Sequence, residues 1–266
     1  MEPKTEGITS RDNGRLVSAR RVRDGRDRTR IFIEGRRLVE EALRSEIDFE
    51  ECFIAESFRS DQFVEKISKR SCPIFEISEK LFSSIADTSA PQGIVLIARR
   101  PATDRQKIDT AIASPGLPLA VFLNEINNPS NLGAVLRTAE AAGILGVIVS
   151  PKSADTFSAK AIRASMGAVF RIPIWENADF DQVLEWATMN EFIATASDIS
   201  ATTTYSEIDW KLPRLVIFGS EAHGLTSSEL AKSTEKIFIP MENGVESLNL
   251  AVSAGVILFE AKRQRA

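Results

Sequence analysis

Cysteine and histidine are scarce in this chain of 266 residues, which contains two cysteines and one histidine. Cys52 and Cys72 are too few for a disulfide framework and too far apart for a zinc site, so we expect two small buried side chains. Because His223 is the sole histidine, a metal site built from several histidines is excluded, and so is a Ser-His-Asp triad elsewhere in the chain. We expect no bound metal.

Long apolar runs are also missing. The longest one, Ala251 to Phe259, is well short of the roughly 20 residues that cross a bilayer. The first residues, MEPKTEGITSRDNGR, contain no apolar region of a secretory leader. Hydrophobic residues make up 43% of the chain and charged residues 26%, which is typical of a soluble globular protein. We expect a cytoplasmic protein without a membrane partner, built from one large or two ordinary domains.

Positive charge is concentrated near the start of the chain, although the whole chain has a net charge of −4. The segment from Arg11 to Arg37 contains ten arginines, no lysine and four acidic residues, which gives a local charge of +6. Arginine favours bidentate phosphate contacts, so we expect this arginine-rich segment to bind nucleic acid. The candidates are Arg20, Arg21, Arg23, Arg36 and Arg37. The alternative is a solvated, partly disordered segment.

Short strands and helices alternate between residues 30 and 98, after a predicted flexible basic arm over residues 1–29. This alternation predicts a small α/β domain. The predicted strands are Arg30–Glu34, Phe49–Ala55, Ile74–Ile77 and Gln92–Ala98. Helices are predicted over Gly35–Ser45, Ser60–Ser71 and Glu79–Ile85, the last with Ser78 as its N-cap. Residues 99–118 contain Pro101, Pro115, Gly116 and Pro118 and no convincing strand, so we predict a linker there.

A larger α/β alternation fills residues 119–266. Its strands read as near-continuous apolar runs, which predicts a parallel sheet covered by helices on both faces. The predicted strands are Leu119–Leu123, Leu145–Val149, Phe192–Ala196, Arg214–Phe218 and Lys236–Ile239. The predicted helices are Leu132–Ala142, Ser158–Met166, Phe180–Met189, Ser227–Lys232 and Asn249–Lys262. Such sheets bind ligands in the loops beyond the carboxyl ends of their strands.

The first informative loop leads from a strand into a helix over residues 124–139, NEINNPSNLGAVLRTA. Ser130 or Asn131 can cap that helix. Arg137 falls off the apolar stripe of the helix, so it can point toward the loops or toward a partner. Taken alone, Arg137 is better explained as a surface or salt-bridged arginine.

Two further loops follow later strands. Residues 218–225, FGSEAHGL, place two glycines around a tight turn, but the pattern is neither a dinucleotide fingerprint nor a P-loop. His223 in this turn reads as a loop residue, because no neighbour is placed to orient it as a base. Residues 239–252, IPMENGVESLNLAV, precede a long final helix that Ser247 or Asn249 can cap.

The order and spacing of these loops carry a family resemblance. The segments NPSNLGAVLRTAEAAG, LVIFGSEAHGL and IFIPMENGVESLNLAVSAGVILFEA resemble the three motifs of the SpoU (TrmH) family of RNA 2′-O-ribose methyltransferases, over about residues 119–266. Residues 30–98 resemble the L30e-like substrate-binding domain that many of these enzymes carry in front, mainly through FIEGRRLVEEAL.

The resemblance implies S-adenosylmethionine as the methyl donor and a SPOUT α/β fold with a C-terminal trefoil knot. It also implies a homodimer whose active site lies at the subunit interface. The cofactor contacts that it implies are largely made by backbone groups, at Phe218, Gly219, Ile239, Pro240, Met241 and Leu248.

The resemblance also implies a set of catalytic positions. Arg137 matches the family's catalytic arginine, which reaches into the partner's site. A guanidinium with a pKa above about 12 rarely gives up its proton, so we expect it to stabilise the developing alkoxide or to anchor a phosphate. Asn131 and Asn249 would position the reactants. Glu221 would accept a proton or brace its loop, and Ser247 matches another polar position of the motifs.

We therefore expect S-adenosylmethionine-dependent 2′-O-methylation of structured RNA. Large-subunit ribosomal RNA is favoured because family members that act on transfer RNA more often lack a separate front domain. Transfer RNA remains an alternative, as does a methyltransferase that confers resistance to a ribosome-targeting antibiotic. A non-catalytic RNA-binding or assembly factor is a further alternative. A nucleotide-dependent oxidoreductase is disfavoured, because the chain has no phosphate-binding glycine fingerprint.

Overall fold

The computed structural model of the protein describes residues 5–58, 62–113 and 119–265. The last five residues of the predicted linker lie outside these ranges, and so do the first four residues of the predicted arm. The chain forms two compact units. The first unit comprises Met1–Ala102 and Phe157–Arg171, and the second comprises Thr103–Thr156 and Ile172–Ala266.

The described residues contain strands and helices throughout. The strands are β1 Thr5–Ile8, β2 Arg30–Glu34, β3 Phe49–Ala55, β4 Ile74–Ile77, β5 Ile94–Arg99, β6 Leu119–Leu123, β7 Gly146–Val149, β8 Ile174–Glu176, β9 Ile193–Ser197, β10 Thr203–Thr204, β11 Arg214–Phe218 and β12 Glu235–Phe238. The α-helices are α1 Gly14–Arg23, α2 Arg36–Leu43, α3 Gln62–Ser68, α4 Glu79–Ile85, α5 Arg105–Ile112, α6 Pro129–Ala142, α7 Ala159–Ser165, α8 Phe180–Met189, α9 Ser227–Lys232 and α10 Leu250–Arg265.

The first unit is built on a five-stranded mixed sheet in the order β1-β4-β3-β5-β2. β4 is parallel to both of its neighbours, whereas β5 is antiparallel to β3 and to β2. Phe53, Phe75 and Val95 point into one buried cluster, and the rings of Phe53 and Phe75 lie 5.5 Å apart. The first unit is therefore a mixed α/β unit, and it includes β1 and α1, which lie before the predicted small α/β domain.

Helix α1 corrects the expectation of a flexible arm. Asn13 caps it by accepting a hydrogen bond from the backbone N–H of Arg15, at 2.9 Å. Leu16, Ala19 and Val22 are buried in the core of the first unit. These three apolar positions are spaced as one helix face, but they are interleaved with arginines, so the segment reads as a solvated basic run in the sequence.

Residues 157–171, predicted as part of the catalytic domain, belong to the first unit instead. Helix α7 packs on β2, and Arg163 forms an ion pair with Asp87 at 2.5 Å. Arg171 pairs with Glu41 at 2.7 Å. Between them the chain turns at Gly167, which has a φ of +88°, and a Cβ there would meet the Cβ of Glu41 at 2.5 Å. Glycine is thus required by both conformation and space.

The second unit contains a seven-stranded sheet in the order β10-β12-β9-β11-β6-β7-β8. All of its strand pairs are parallel. Every residue of β6, β7 and β11 is buried, as expected for strands covered on both faces. The predicted fold class, α/β with a parallel sheet, is confirmed. The trefoil knot implied by the resemblance stays a prediction.

Helix α5 occupies part of the predicted linker. Ile108 is fully buried in the core of the second unit, together with Phe122 and Ile148. The neighbouring Asp109 accepts a hydrogen bond from the indole N–H of Trp186 at 2.8 Å. The helix was missed because it presents a single fully buried apolar residue, Ile108, which gives no periodic pattern.

The two cysteines are buried and unpaired. Burial raises the pKa of the Cys72 thiol to about 12, and it raises the pKa of Cys52 well above its usual range. Neither thiol therefore ionises near neutral pH, which agrees with the expectation of two small buried side chains. None of the described helices combines the length and the apolar character that a bilayer crossing requires.

Candidate active site

A cavity of about 700 Å³ lies in the second unit, where the loops after β6, β9, β11 and β12 come together. This volume is in the usual range for small-molecule sites, and its position at the carboxyl ends of parallel strands is where such sheets bind ligands. The residues that line it include Asn131, Ser197, Asp198, Ile199, Phe218, Gly219, Ser220, Glu221, His223, Ile239, Met241, Glu246, Ser247, Leu248, Asn249 and Ser253.

The first loop begins at the end of β6 and is held by the neighbouring strand β11. The backbone N–H of Asn124 donates to the carbonyl of Phe218 at 2.9 Å. The loop ends at α6, whose N-cap is Asn128, because its side chain accepts from the N–H of Ser130 at 2.9 Å. The expectation that Ser130 or Asn131 caps this helix is therefore wrong. Pro129 occupies the first helical position, so the helix begins earlier in the chain than predicted.

A hydrogen-bond network joins the three loops of the resemblance. The carboxylate of Glu221, in the second loop, accepts from the backbone N–H groups of Asn127 and Asn128 at 3.2 and 3.3 Å. It also accepts from the side-chain amide of Asn131 at 3.2 Å. The oxygen of the Asn131 amide then accepts from the side-chain amide of Asn249, in the third loop, at 3.1 Å. Both oxygens of Glu221 are engaged, so it braces the loops.

Gly219 allows the second loop to fold back on itself. The backbone of Ser220 and Gly224 exchanges two hydrogen bonds, of 3.2 and 2.9 Å. This closure brings the chain so near that a Cβ at Gly219 would lie 2.3 Å from the carbonyl carbon of Gly224. A side chain is excluded at Gly219 by backbone atoms, which cannot move away as the end of a flexible side chain can.

Backbone groups around the cavity are available to a ligand. The main-chain N–H and C=O groups of Gly219, Ile239 and Leu248 make no hydrogen bond to any residue that the structure describes. All three residues are half-buried and line the cavity. Leaving half-buried backbone N–H and C=O groups unpaired costs free energy, and a ligand or a water molecule that pairs with them removes this cost. They suit the nitrogen-bearing edge of an adenine, so the residues present fit an adenosyl cofactor.

The predicted site residues divide into two groups. Asn131, Glu221, Ser247 and Asn249 line the cavity, and so do the cofactor candidates Phe218, Gly219, Ile239, Met241 and Leu248. Pro240 is exposed and is not part of the lining. Asn249 caps α10, as expected, since its side chain accepts from the N–H of Ala251 at 2.9 Å. Ser247 is exposed.

Arg137 lies outside the lining of this cavity. It is exposed on α6, and its guanidinium makes no hydrogen bond or ion pair within the described parts of the chain. The cavity therefore contains the side-chain amides of Asn131 and Asn249 but not the arginine that the family resemblance assigns to the site.

The residues at the end of β9 were not among the predicted site residues. Ser197, Asp198 and Ile199 line the cavity, and no motif had singled them out. The signal that could have found them is positional, because Ser197 ends a strand of a parallel sheet and ligands lie beyond such ends. His223, in contrast, lines the cavity as an exposed loop residue, and its backbone N–H donates to the hydroxyl of Ser220 at 3.2 Å.

The arginine-rich segment has two kinds of arginine. Arg23 donates to the carbonyls of Ser84, Ile85 and Ala86 at 3.3, 3.3 and 3.1 Å, which closes the end of α4. Arg20 donates to the carbonyl of Arg11 at 2.9 Å. Both therefore serve the fold of the first unit.

Arg21 and Arg37 belong to the other kind. They are exposed, and their side chains have no partner among the described residues. Arg36 is also exposed, and its backbone N–H donates to the side chain of Gln92 at 2.9 Å. In the described ranges, no cluster of three or more histidine, cysteine, aspartate or glutamate side chains is placed to hold a metal ion.

Comparisons with known proteins match both units. Residues 118–259 match the SpoU rRNA Methylase family, and residues 15–96 match the MRM3-like substrate binding domain. An uncharacterised tRNA/rRNA methyltransferase of Synechocystis is 31% identical over 97% of this chain and 94% of its own length. The 23S rRNA (guanosine(2553)-2′-O)-methyltransferase RlmP of Bacillus subtilis is 26% identical over 96% of this chain and 98% of its own length.

A solved structure agrees over the whole chain. The AdoMet-bound rRNA methyltransferase of Sinorhizobium meliloti is 29% identical and superposes with a TM-score of 0.85, covering 98% of this chain and 99% of that one. The family match covers more than half of the chain and contains all three motif loops that line the cavity. This chain belongs to the SpoU family of RNA methyltransferases.

Proposed function

We propose that this protein transfers a methyl group from S-adenosylmethionine to a ribose 2′-hydroxyl of large-subunit ribosomal RNA. The observation that carries the proposal is the network from Glu221 through Asn131 to Asn249, because it joins three loops around one cavity. The name of the Bacillus subtilis relative supports both the 2′-O position and the 23S substrate. The protein acts in the cytoplasm, where ribosomal RNA is made and processed in bacteria.

Bound S-adenosylmethionine would supply a methyl group on its sulfonium. A ribose 2′-oxygen would attack that methyl carbon in line, with S-adenosylhomocysteine as the leaving group and with loss of the hydroxyl proton. The protein has to hold the ribose oxygen, the methyl carbon and the sulfur close to one straight line. Positioning of this kind can lower the activation free energy by up to about 7–11 kcal/mol. Asn131 and Asn249 fix each other at 3.1 Å, so their remaining hydrogen-bonding capacity is directed at the reactants. Phe218 is 3% exposed and Leu248 is half-buried, and together they keep water from one side of the cavity.

Glu221 acts as a brace in this proposal. Its two oxygens accept three hydrogen bonds from the first loop, which leaves it poorly placed to receive the proton of the substrate hydroxyl. It instead holds Asn131 in the orientation that its bond to Asn249 requires.

The active protein is a homodimer in which Arg137 acts in the partner's site. Two observations support this arrangement. Arg137 is exposed without a partner among the described residues. Helix α10, which packs against α6, leaves Val252 and Phe259 about half exposed. These two residues are seven positions apart and so lie on the same face of the helix. A second copy would cover this apolar face and bring Arg137 to the cavity, where it stabilises the developing alkoxide or anchors a phosphate.

RNA binds to the first unit through exposed arginines. Arg21 and Arg37 have no partner among the described residues, so they contribute phosphate contacts. Arg36 joins them from the exposed start of α2. Arg20 and Arg23 contribute less, because their guanidinium groups are already bonded to backbone carbonyls.

The test is methyl transfer from labelled S-adenosylmethionine into total RNA that lacks the endogenous modification, followed by size fractionation and mass spectrometry of nucleosides. We expect a 2′-O-methylnucleoside in large ribosomal RNA. Label in the transfer RNA fraction would overturn the substrate and keep the reaction. Donor binding without transfer to any RNA fraction, free or assembled into subunits, would favour a non-catalytic RNA-binding factor. Absence of donor binding would overturn the enzyme itself.

A further inference from the structure

Asp198 occupies the end of β9, and none of the three motif loops contains it. It lines the cavity between Ser197 and the 63% exposed Ile199. We propose that the Asp198 carboxylate binds the ribose hydroxyls of the methyl donor. This inference rests on the proposed function, because it concerns the same cavity and the same cofactor.

The position of Asp198 is fixed by its neighbours. Its backbone N–H donates to the carbonyl of Ile237 in β12 at 2.9 Å. Its carbonyl accepts from the N–H of Ala201 at 3.2 Å, which closes a turn after the strand. Within the side chain, Oδ1 accepts from the N–H of Ser200 at 2.8 Å and also from the Ser200 hydroxyl. The carboxylate is therefore preorganised rather than free to rotate.

The second carboxylate oxygen is left for a ligand. No described residue donates to Oδ2 of Asp198, and the residue is half-buried in the cavity wall. An ionised carboxylate accepts hydrogen bonds and cannot donate them, so its partner must carry hydroxyl or amino hydrogens. Glu221, another carboxylate of this wall, already accepts three hydrogen bonds from the protein.

The strand order indicates which part of the donor meets Asp198. β9 lies between β12 and β11 in the sheet. Asp198 thus follows a strand flanked by the strands that lead to Ile239 and to Gly219, whose open backbone groups suit an adenine edge. The ribose is the group attached directly to adenine. Asn131 belongs to the loop after β6, on the far side of β11, so the methyl-transfer end of the donor lies away from Asp198.

A carboxylate that follows a parallel strand is a suitable partner for ribose hydroxyls, as the acidic residue of dinucleotide-binding sheets illustrates. This protein lacks the glycine fingerprint of those sheets. Asp198 therefore resembles their acidic residue only in its chemistry and in its position at the end of a strand. Each hydrogen bond to a charged group contributes about 1.5–3 kcal/mol, which corresponds to about a tenfold or larger change in affinity.

The experiment measures binding by calorimetry with the full-length protein and two ligands. S-adenosylhomocysteine carries the ribose and the amino-acid part, whereas 5′-methylthioadenosine keeps the ribose and lacks the amino acid. The variant Asp198→Asn keeps the Oδ1 acceptor for Ser200 and replaces the second oxygen by an amide nitrogen. Asp181→Asn changes the net charge equally at an exposed ion pair on α8, so it controls for the general electrostatic effect.

We expect Asp198→Asn to lower the affinity for both ligands by a similar factor of about ten or more. Asp181→Asn should bind both ligands with the affinity of the wild type. A lower affinity for S-adenosylhomocysteine alone would overturn the inference, because Asp198 would then contact the ammonium group of the amino-acid part. Unchanged affinity for both ligands would show that Asp198 does not contact the donor. If the wild type binds neither ligand, the proposed function fails instead.

A ligand-side comparison keeps the inference testable if Asp198→Asn folds poorly. The wild type should bind 5′-methylthioadenosine about tenfold more tightly than the analogue without the two ribose hydroxyls. Equal binding of these two ligands by the wild type would overturn the inference. A folded Asp198→Asn variant should discriminate between them little, because the acceptor for the hydroxyls has been removed.

Discussion

Individual residues around the cavity are constrained by contacts with other parts of the chain. Gly219 is limited by backbone five residues later, Asn131 by Asn249, and Asp198 by the neighbouring strand. In each case the residue type follows from what its neighbours leave available. These positions therefore offer the sharpest tests of the site.

Replacing Gly219 by alanine should abolish donor binding. The added Cβ would lie 2.3 Å from the carbonyl carbon of Gly224 and 2.5 Å from the N of Leu225, so the turn between Ser220 and Gly224 must open. Calorimetry with S-adenosylhomocysteine measures the loss, and thermal unfolding reports the accompanying strain. Gly14→Ala is the control, because no atom lies within 4 Å of its added Cβ. Wild-type affinity in Gly219→Ala would contradict the tight turn.

Asp27 should make the first unit sensitive to acid. Hydrogen bonds from the Thr29 hydroxyl and then from Arg30 lower the pKa of Asp27 from 3.8 to about 2. Because the folded pKa is the lower one, its stabilisation is present above about pH 4 and disappears as the pH falls toward 2. Urea unfolding of wild type and Asp27→Asn should differ by about 1–2 kcal/mol at pH 6. A difference that persists unchanged at pH 2 would refute this assignment.

At the scale of elements, α1 has a buried apolar face and an exposed basic face. Leu16, Ala19 and Val22 face the core of the first unit, whereas Arg21 is exposed. Arg23 is half-buried, and its guanidinium closes the end of α4. A truncation of this segment would therefore remove core packing together with the proposed RNA contacts, and single substitutions separate the two.

Arg21→Ala and Arg23→Ala form a matched pair on α1. Arg21→Ala should weaken RNA binding and lower the dependence of the binding constant on salt by about one phosphate contact, without changing stability. Arg23→Ala should instead lower the free energy of unfolding by about 1–3 kcal/mol, because three carbonyls lose their donor. Filter binding over a salt series and urea unfolding measure the two effects. Loss of stability only in Arg21→Ala would reverse the assignment.

At the scale of the whole molecule, the two units are interleaved along the chain. The first unit takes Phe157–Arg171 from within the sequence of the second, and the predicted linker contributes α5 to the second unit. The predicted division places an arm, a front domain, a linker and a catalytic domain one after another, whereas each unit of the structure combines two separate stretches of the chain.

Helix α5 should protect the predicted linker from proteolysis. Trypsin can cleave after Arg105 and Lys107 only when this helix opens, and Ile108 is fully buried in the second unit. Ile108→Ala should cost about 2–5 kcal/mol of local stability and speed cleavage at both sites. Mass spectrometry of a digestion time course identifies the cut positions. The exposed Thr110→Ala serves as the control, and rapid cleavage of the wild type after Arg105 would contradict a folded α5.

Mixing two inactive variants tests the dimer. If Arg137 acts in the partner's site, Arg137→Ala should bind the donor normally and transfer little. Gly219→Ala should keep its arginine and bind no donor. Refolded together, the two should recover part of the wild-type activity, because one of the two sites in a mixed dimer is then complete. Methyl transfer into RNA measures the recovery. No recovery, despite mixed dimers shown by mass spectrometry, would place Arg137 in its own subunit's site.

The arrangement of strands and helices was largely predictable from local patterns. β3 and β11 have the predicted bounds, Phe49–Ala55 and Arg214–Phe218, because a buried strand needs a continuous apolar run and punctuation at its ends. The identity of the three cavity loops was likewise predictable from their order along the chain, and the family match confirmed it. α1 and α5 were not, since their apolar positions are few and lie among charged residues.

Which side chains meet was decided only by the folded chain. Glu221 bonds to Asn127, 94 residues earlier, and Asn249 bonds to Asn131, 118 residues earlier. Such pairs depend on the order of strands in the sheet, and that order follows from packing the whole core rather than from any local period. The same reason explains why Arg23 closes α4 and why Asp198 faces the cavity. Residue patterns along a chain specify its elements, whereas long-range packing assigns a role to each side chain.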